Sequence, residues 1–143
     1  MFDGWRTPDS LYKSLDDEFH FGIDVAADPE NTKCPIYFTK EDNALFKEWG
    51  GRGAVFCNPP YSRKIGEWVL KAAYEHSKTG ETIVLLIPAR TDTKWFHQVV
   101  LPYAAEIRFL RGRVKFLDQE GKPKNSATFP SMVVIFKTKG GLL

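Results

Sequence analysis

Ala54-Val55-Phe56-Cys57, followed at once by Asn58-Pro59-Pro60-Tyr61, is the stretch that decides the fold. Four apolar residues in a row read as a buried strand. Two successive prolines, which lack backbone donors and fix φ, end that strand in a rigid loop. Directly beyond, Ile65, Trp68, Val69, Ala72, Ala73 and His76 recur at helical spacing, and Ile83 to Ile87 is a continuous β-rich run stopped by Pro88. Strand, helix, strand at this distance predicts a parallel α/β sheet, whose ligands bind beyond the carboxyl ends of the strands.

The same alternation continues in both directions. Upstream, Thr7-Pro8-Asp9 reads as a helix start with Thr7 as cap and Pro8 in the first helical position. Leu11, Leu15 and Phe19 then recur every four residues, so a first helix is expected to end near His20. Phe21 to Ala27 is an apolar run carrying one carboxylate, Asp24, and Ile36 to Phe38 reads as a short second strand before the Leu45–Trp49 segment. Downstream, a helix capped by Asp92 is expected to bury Trp95, Phe96, Val99 and Val100 before Pro102. Glu106 to Phe116 and Met132 to Phe136 read as strands, and Asp118 to Pro130 as the longest loop. The expected architecture is a doubly wound, mainly parallel sheet with helices on both faces and an antiparallel C-terminal strand.

Of the 143 residues, 43% are hydrophobic and 27% charged, an ordinary globular composition for one core, and the expectation is a single domain over 1–143 with no separate target-recognition domain. No stretch approaches the ~20 apolar residues of a membrane span, and residues Met1 to Arg6 lack the basic and apolar regions of an export signal, which predicts a cytoplasmic protein. Cys34 and Cys57 form no Cys-x-x-Cys pair and read as reduced thiols, with no metal site. The net charge of +2 is uneven: residues 1–58 carry −5, residues 59–107 carry +1, and residues 108–143, with 8 basic and 2 acidic side chains, carry +6. Such a basic part attracts phosphate backbones, although a solvated face has the same composition.

Asn58 to Tyr61 carries the chemistry. The Asn58 amide oxygen and the Pro59 carbonyl are acceptors, and Tyr61 adds an aromatic face, so the loop suits a planar amine. An aromatic amine is a poor nucleophile because its lone pair is delocalised into the ring. Two acceptors on its hydrogens let the nitrogen pyramidalise and attack an aligned methylsulfonium carbon, without a strong base or a covalent enzyme intermediate. A base held in a duplex must first be extruded, after which Tyr61 can stack on it. The alternative is a rigid turn whose tyrosine covers the core. His20, His76 and His97 share no spacing, and this chemistry needs no imidazole.

With these residues, the chain resembles the amino methyltransferases, and more closely the phage DNA adenine N6-methyltransferase family, over most of its length. The matching blocks are Trp5-x-Thr7-Pro8, Phe21 to Ala27, Asn58 to Tyr61, Leu85 to His97 and Gly112-Arg113. The resemblance implies a Rossmann-like S-adenosylmethionine-dependent methyltransferase fold, double-stranded DNA as partner, a host cell cytoplasm as location, and direct methyl transfer to the exocyclic amine of a flipped-out adenine. Asn58, Pro59, Pro60 and Tyr61 take the catalytic loop. Trp5, Thr7 and Pro8 fall in the N-terminal cofactor block, where a helix cap is the plain reading, and Asp24 and Ala26 at the end of the first strand stand beside the cofactor. Asp42, in Glu41-Asp42-Asn43-Ala44-Leu45, resembles the carboxylate that holds the cofactor's adenine amine, and equally a helix cap. The Asp24 block departs from the usual pattern because Asp24 to Pro29 contains no Gly-x-Gly turn.

Arg90, just beyond the third apolar run, is offered to a phosphate, and Arg111, Arg113, Lys115, Lys122 and Lys124 surround the longest loop as DNA contacts. Two other readings stay open at this point. One is methylation of an RNA base or a protein glutamine, since the tetrapeptide suits any planar amine. The other is a noncatalytic DNA-binding module that kept the fold.

Overall fold

A computed structural model describes residues 6–30, 32–118, 120–122 and 127–138. Its centre is a five-stranded sheet of β1 (Phe21–Asp24), β2 (Ala54–Cys57), β3 (Ile83–Pro88), β4 (Glu106–Phe109) and β5 (Ser131–Phe136), in the order β1-β2-β3-β5-β4. β1 pairs with β2 and β2 with β3 in parallel; β5 is antiparallel to both β3 and β4. The sheet is therefore mixed, not mainly parallel: the antiparallel C-terminal strand is present, but it is inserted between β3 and β4 and so contributes two antiparallel pairings. Because β4 opposes β5, which opposes β3, four strands still point the same way and share one carboxyl rim.

Alternation along β2 and β3 divides the core in two, as a period of two requires. Val55, Cys57, Ile83, Leu85 and Ile87 face α2 (Ile65–Thr79), which returns Ile65, Trp68, Val69 and Ala72. Phe56, Val84 and Leu86 face the other way, against Tyr12 and Leu15 of α1 (Asp9–Phe19) and against Phe116. Helices thus cover both faces. All six residues of β3 and all six of β5 are buried, which is why these strands read as continuous apolar runs.

Several expected boundaries shift for identifiable reasons. Pro8, not Thr7, is the N-cap of α1 and makes no side-chain cap bond; the Thr7 hydroxyl is turned elsewhere. Ile36 to Phe38 makes only a single bridge, Tyr37 beside Asp24, instead of a strand. The helix after β3 is capped by Thr93, whose hydroxyl accepts the Phe96 N–H at 3.2 Å, and not by Asp92. That helix does not stop before Pro102 either. A π-helical stretch, Phe96–Val100, runs into α3 (Leu101–Tyr103), with Phe96, Val99 and Val100 buried and Trp95 partly so. Proline has no N–H to give to the helix ladder, and the wider turn lies directly ahead of it. β4 ends at Phe109 instead of continuing to Phe116, because Gly112 takes φ +74° and turns the chain out of the sheet. Gly22 is required by packing, since a Cβ there would stand 1.5 Å from the Arg52 carbonyl oxygen.

The long connection from β1 to β2 is held to α2 by a buried carboxylate. Glu75, 1% exposed, accepts the Trp49 N–H at 2.7 Å and the Lys71 ammonium at 3.0 Å. Removing it leaves a buried amide and a partly buried cation uncompensated. Glu75→Ala is expected to lower stability in urea unfolding by about 3 kcal/mol, within the ~3–5 kcal/mol typical of broken buried pairs. Glu75→Gln, which still accepts from Trp49, should lose clearly less, and equal losses would contradict this role.

Candidate functional site

Since β1 to β4 share a direction, their carboxyl ends set Asp24, Asn58 to Tyr61, Ala89-Arg90 and Leu110 to Lys115 along one rim, with the start of β5 among them. Parallel pairing puts Asp24 opposite Phe56, two residues before Asn58. A cleft opens there, lined among others by Arg6, Thr7, Tyr12, Asp24, Ala26, Asp28, Lys33 and Asn58.

Asn58 is 4% exposed, and its amide nitrogen donates to the Thr7 hydroxyl at 3.1 Å across 51 residues of chain. The amide nitrogen faces Thr7, and Oδ1, itself buried, is turned to the other side. Thr7 in turn is held by its neighbour. Arg6 exchanges both backbone hydrogen bonds with Leu117, and its guanidinium bonds the Asp28 carboxylate at 2.5 Å and the Asp118 carbonyl at 3.3 Å.

Pro59 is buried, while Pro60 and Tyr61 are half-buried. The Tyr61 hydroxyl donates to the Leu86 carbonyl at 3.0 Å, and burial pushes its phenol well above the usual range, so it remains a donor. The rings of Phe116 and Phe129 meet the Tyr61 ring edge-on, with centroids 5.7 and 5.6 Å away. Arg90, exposed, stands over the Phe129 ring at 6.0 Å, which brings it to the same rim as the tetrapeptide.

Asp24 is the electrostatic centre of the cleft. It is 8% exposed, and its Oδ1 accepts the Ala26 N–H at 3.0 Å. Burial pushes its carboxyl up to about 7, and the Ala26 amide and the Lys33 charge offset only part of that rise. A buried acidic group that lines a cleft and whose carboxyl is raised by burial is suited to a cationic ligand, whose charge would favour its ionised form.

The basic residues divide. Arg111, Arg113 and Lys115 line a groove with Pro8, Ser10 and Leu11 at the start of α1, so Pro8 belongs to that groove and not to the cleft. Lys122 lies in a separate turn, where its N–H and carbonyl bond the Asp118 carboxylate and amide. Asp42 does not line the cleft; its carboxylate accepts the Thr39 N–H at 2.7 Å and caps its own 3₁₀ turn. Trp5 and Lys124 lie outside the described residues. Sequence reasoning missed Arg6, Tyr12, Asp28 and Lys33 in the cleft and Phe116 and Phe129 around Tyr61. Arg6 and Asp28 lie inside the blocks around Thr7 and Asp24, and Phe116 ends an expected strand, but no local signal singled out any of them. Among the described residues no group of three His, Cys, Asp or Glu side chains is placed to hold a metal, and no helix is long and apolar enough to cross a membrane.

The raised Asp24 carboxyl makes a signed prediction. Its folded value lies above the ~3.9 of an unfolded Asp, so its contribution is fully present below pH ~4 and is lost as pH rises through about 7. Asp24→Asn, which retains an acceptor for Ala26, should therefore melt higher than the parent at pH 8 and equally at pH 4. A variant less stable at pH 8 would show that the carboxylate is not a burdened buried charge.

Comparison with known proteins identifies the family. A family model described as DNA N-6-adenine-methyltransferase (Dam) matches residues 1–141. The DNA N-6-adenine-methyltransferase of Haemophilus phage HP1 is 31% identical over 140 residues, covering 96% of this chain and 80% of the relative. The protein of the same description from Escherichia phage T1 is 35% identical over 95 residues, 66% of this chain and 39% of that relative.

Proposed function

The chain belongs to the DNA N-6-adenine-methyltransferase family, and we propose that its rim transfers a methyl group from S-adenosylmethionine directly to N6 of an adenine turned out of duplex DNA. The observation that carries this reading is the Asn58–Thr7 hydrogen bond, which holds the Asn58 side chain by its amide nitrogen at the cleft that Asp24 also lines.

The cleft suits S-adenosylmethionine by its donor set. Asp24 offers a carboxylate to a cationic group, Arg6 and Lys33 offer cations to a carboxylate, and Ala26 brings the backbone close without a bulky side chain. When bound, the cofactor supplies an electrophilic methyl group on a sulfonium centre. The fold reading is correspondingly Rossmann-like, with cofactor and base on adjacent loops of one rim.

The chain's own residues prepare the acceptor. Asn58 Oδ1 and the Pro59 carbonyl accept the two hydrogens of the adenine amine, withdrawing its lone pair from the ring and aiming it at the cleft. Pro59 and Pro60 keep the loop rigid, so these acceptors cost no reorganisation when the base arrives. Tyr61, tied to Leu86, offers its face to the extruded base. Arg90, Arg111, Arg113 and Lys115 hold the DNA backbone, with Lys122 as a further contact.

Asn58→Ala is expected to lower the methylation rate of a duplex oligonucleotide by ~10²–10³-fold, as loss of a transition-state acceptor does, while calorimetry still detects S-adenosylmethionine binding. An unchanged rate would sink the mechanism. Thr7→Val should reduce kcat about tenfold at an unchanged cofactor KM, with Thr7→Ser restoring it. A raised cofactor KM at full kcat would instead make Thr7 a cofactor contact. Arg111→Ala should lower the slope of log affinity for DNA against log salt by about 1.

A further inference from the structure

Away from the rim, α2 presents an apolar face to solvent. Leu70 and Tyr74, one helical turn apart, are each 58% exposed and form a ridge, with Phe46 (81% exposed) on one side and Tyr103 (66% exposed) on the other. Two shallow grooves flank that ridge and share Leu70 and Tyr74 as a common wall. Single exposed apolar side chains are ordinary, but a contiguous set of four with grooves between them marks a contact surface.

We propose that a second copy of this chain covers this face, forming a two-fold symmetric dimer with the two α2 helices antiparallel. The sign of charge along the stripe carries the choice of partner. Arg63 and Glu67 precede the Leu70–Tyr74 ridge, and Lys78 and Glu81 follow it. A two-fold axis through the ridge brings Glu67 of one copy to Lys78 of the other, beside that copy's own Glu48, and Arg63 to Glu81, while Lys71 is already paired with Glu75 within its helix. A parallel arrangement sets like on like. Shape agrees, since the ridge of each copy fits a groove beside the ridge of the other, the isologous relation that a two-fold demands.

The face is also placed so that dimerisation leaves the site open. α2 packs on the sheet face carrying Val55, Leu85 and Val134, whereas α1 and the Leu110 to Lys115 segment belong to the opposite face. The basic grooves of the two copies therefore point away from the shared helices, each free to take duplex DNA.

Sedimentation velocity on the full chain tests this. The parent is expected to run at twice its 16.3 kDa chain mass at micromolar concentration, and Leu70→Glu should raise the dimer dissociation constant at least about tenfold. Leu70 is mostly exposed, so an unchanged circular dichroism spectrum verifies that the variant is folded. The paired variant Glu67→Cys with Lys78→Cys should oxidise to a covalent dimer, while neither single variant does. Within one helix these positions stand ~16 Å apart, beyond disulfide reach, so the bond reports on the neighbour. A parent that is monomeric throughout, a dimer indifferent to Leu70→Glu, or a dimer in which the cysteine pair stays reduced would each overturn the proposal.

Discussion

Parallel pairing of β1 with β2 and β2 with β3 is the constraint on which the rest depends. It fixes strand direction, and direction gathers Asp24, Asn58 and the Pro88–Arg90 turn at one edge although they are separated by 34 and about 30 residues of chain. Neither parallel pairing is long; three Cα partners define each. Their permanence comes from burial on both faces, where Phe56, Val84 and Leu86 meet α1, and Val55, Cys57 and Leu85 meet α2. β5, wholly buried between β3 and β4, locks the sheet from the other side and carries the basic segment after β4 to the same rim.

On that frame the polar groups are arranged with little redundancy. Arg6 ties the N-terminal segment to Asp28 and to Leu117-Asp118, and Thr7, next in the chain, is thereby placed against Asn58. A charge pair outside the Asn58 to Tyr61 loop thus positions a group within it. Asp24 works in the opposite sense. Its burial is unfavourable for the charged form, and the protein retains it in the cleft all the same. Such retained cost is the signature of a ligand site more than of a stability device.

The sequence made the central unit legible because strand, proline stop and amphipathic helix are local signals. β2 matches its expected bounds, Ala54 to Cys57, and β3 extends the expected Ile83 to Ile87 by one residue. The position of β5 between β3 and β4 was not legible, since strand order is set by long-range pairing that leaves no local mark. Nor was the end of β4, where a single glycine in a left-handed conformation outweighs an apolar run continuing to Phe116. Thr7 shows the same limit at the site. Thr-Pro reads as a helix cap by local rules, and only the folded chain reveals that its hydroxyl is engaged by Asn58. Arg6 and Asp28, although inside the blocks around Thr7 and Asp24, and Lys33 read as ordinary charged residues until the fold brings them into one cleft.

The most direct test of the account is transfer of a labelled methyl group from S-adenosylmethionine to duplex DNA, followed by mass analysis of the released nucleosides. Label is expected in N6-methyladenine and not in cytosine. Label confined to RNA or protein, or none despite cofactor binding, would contradict it.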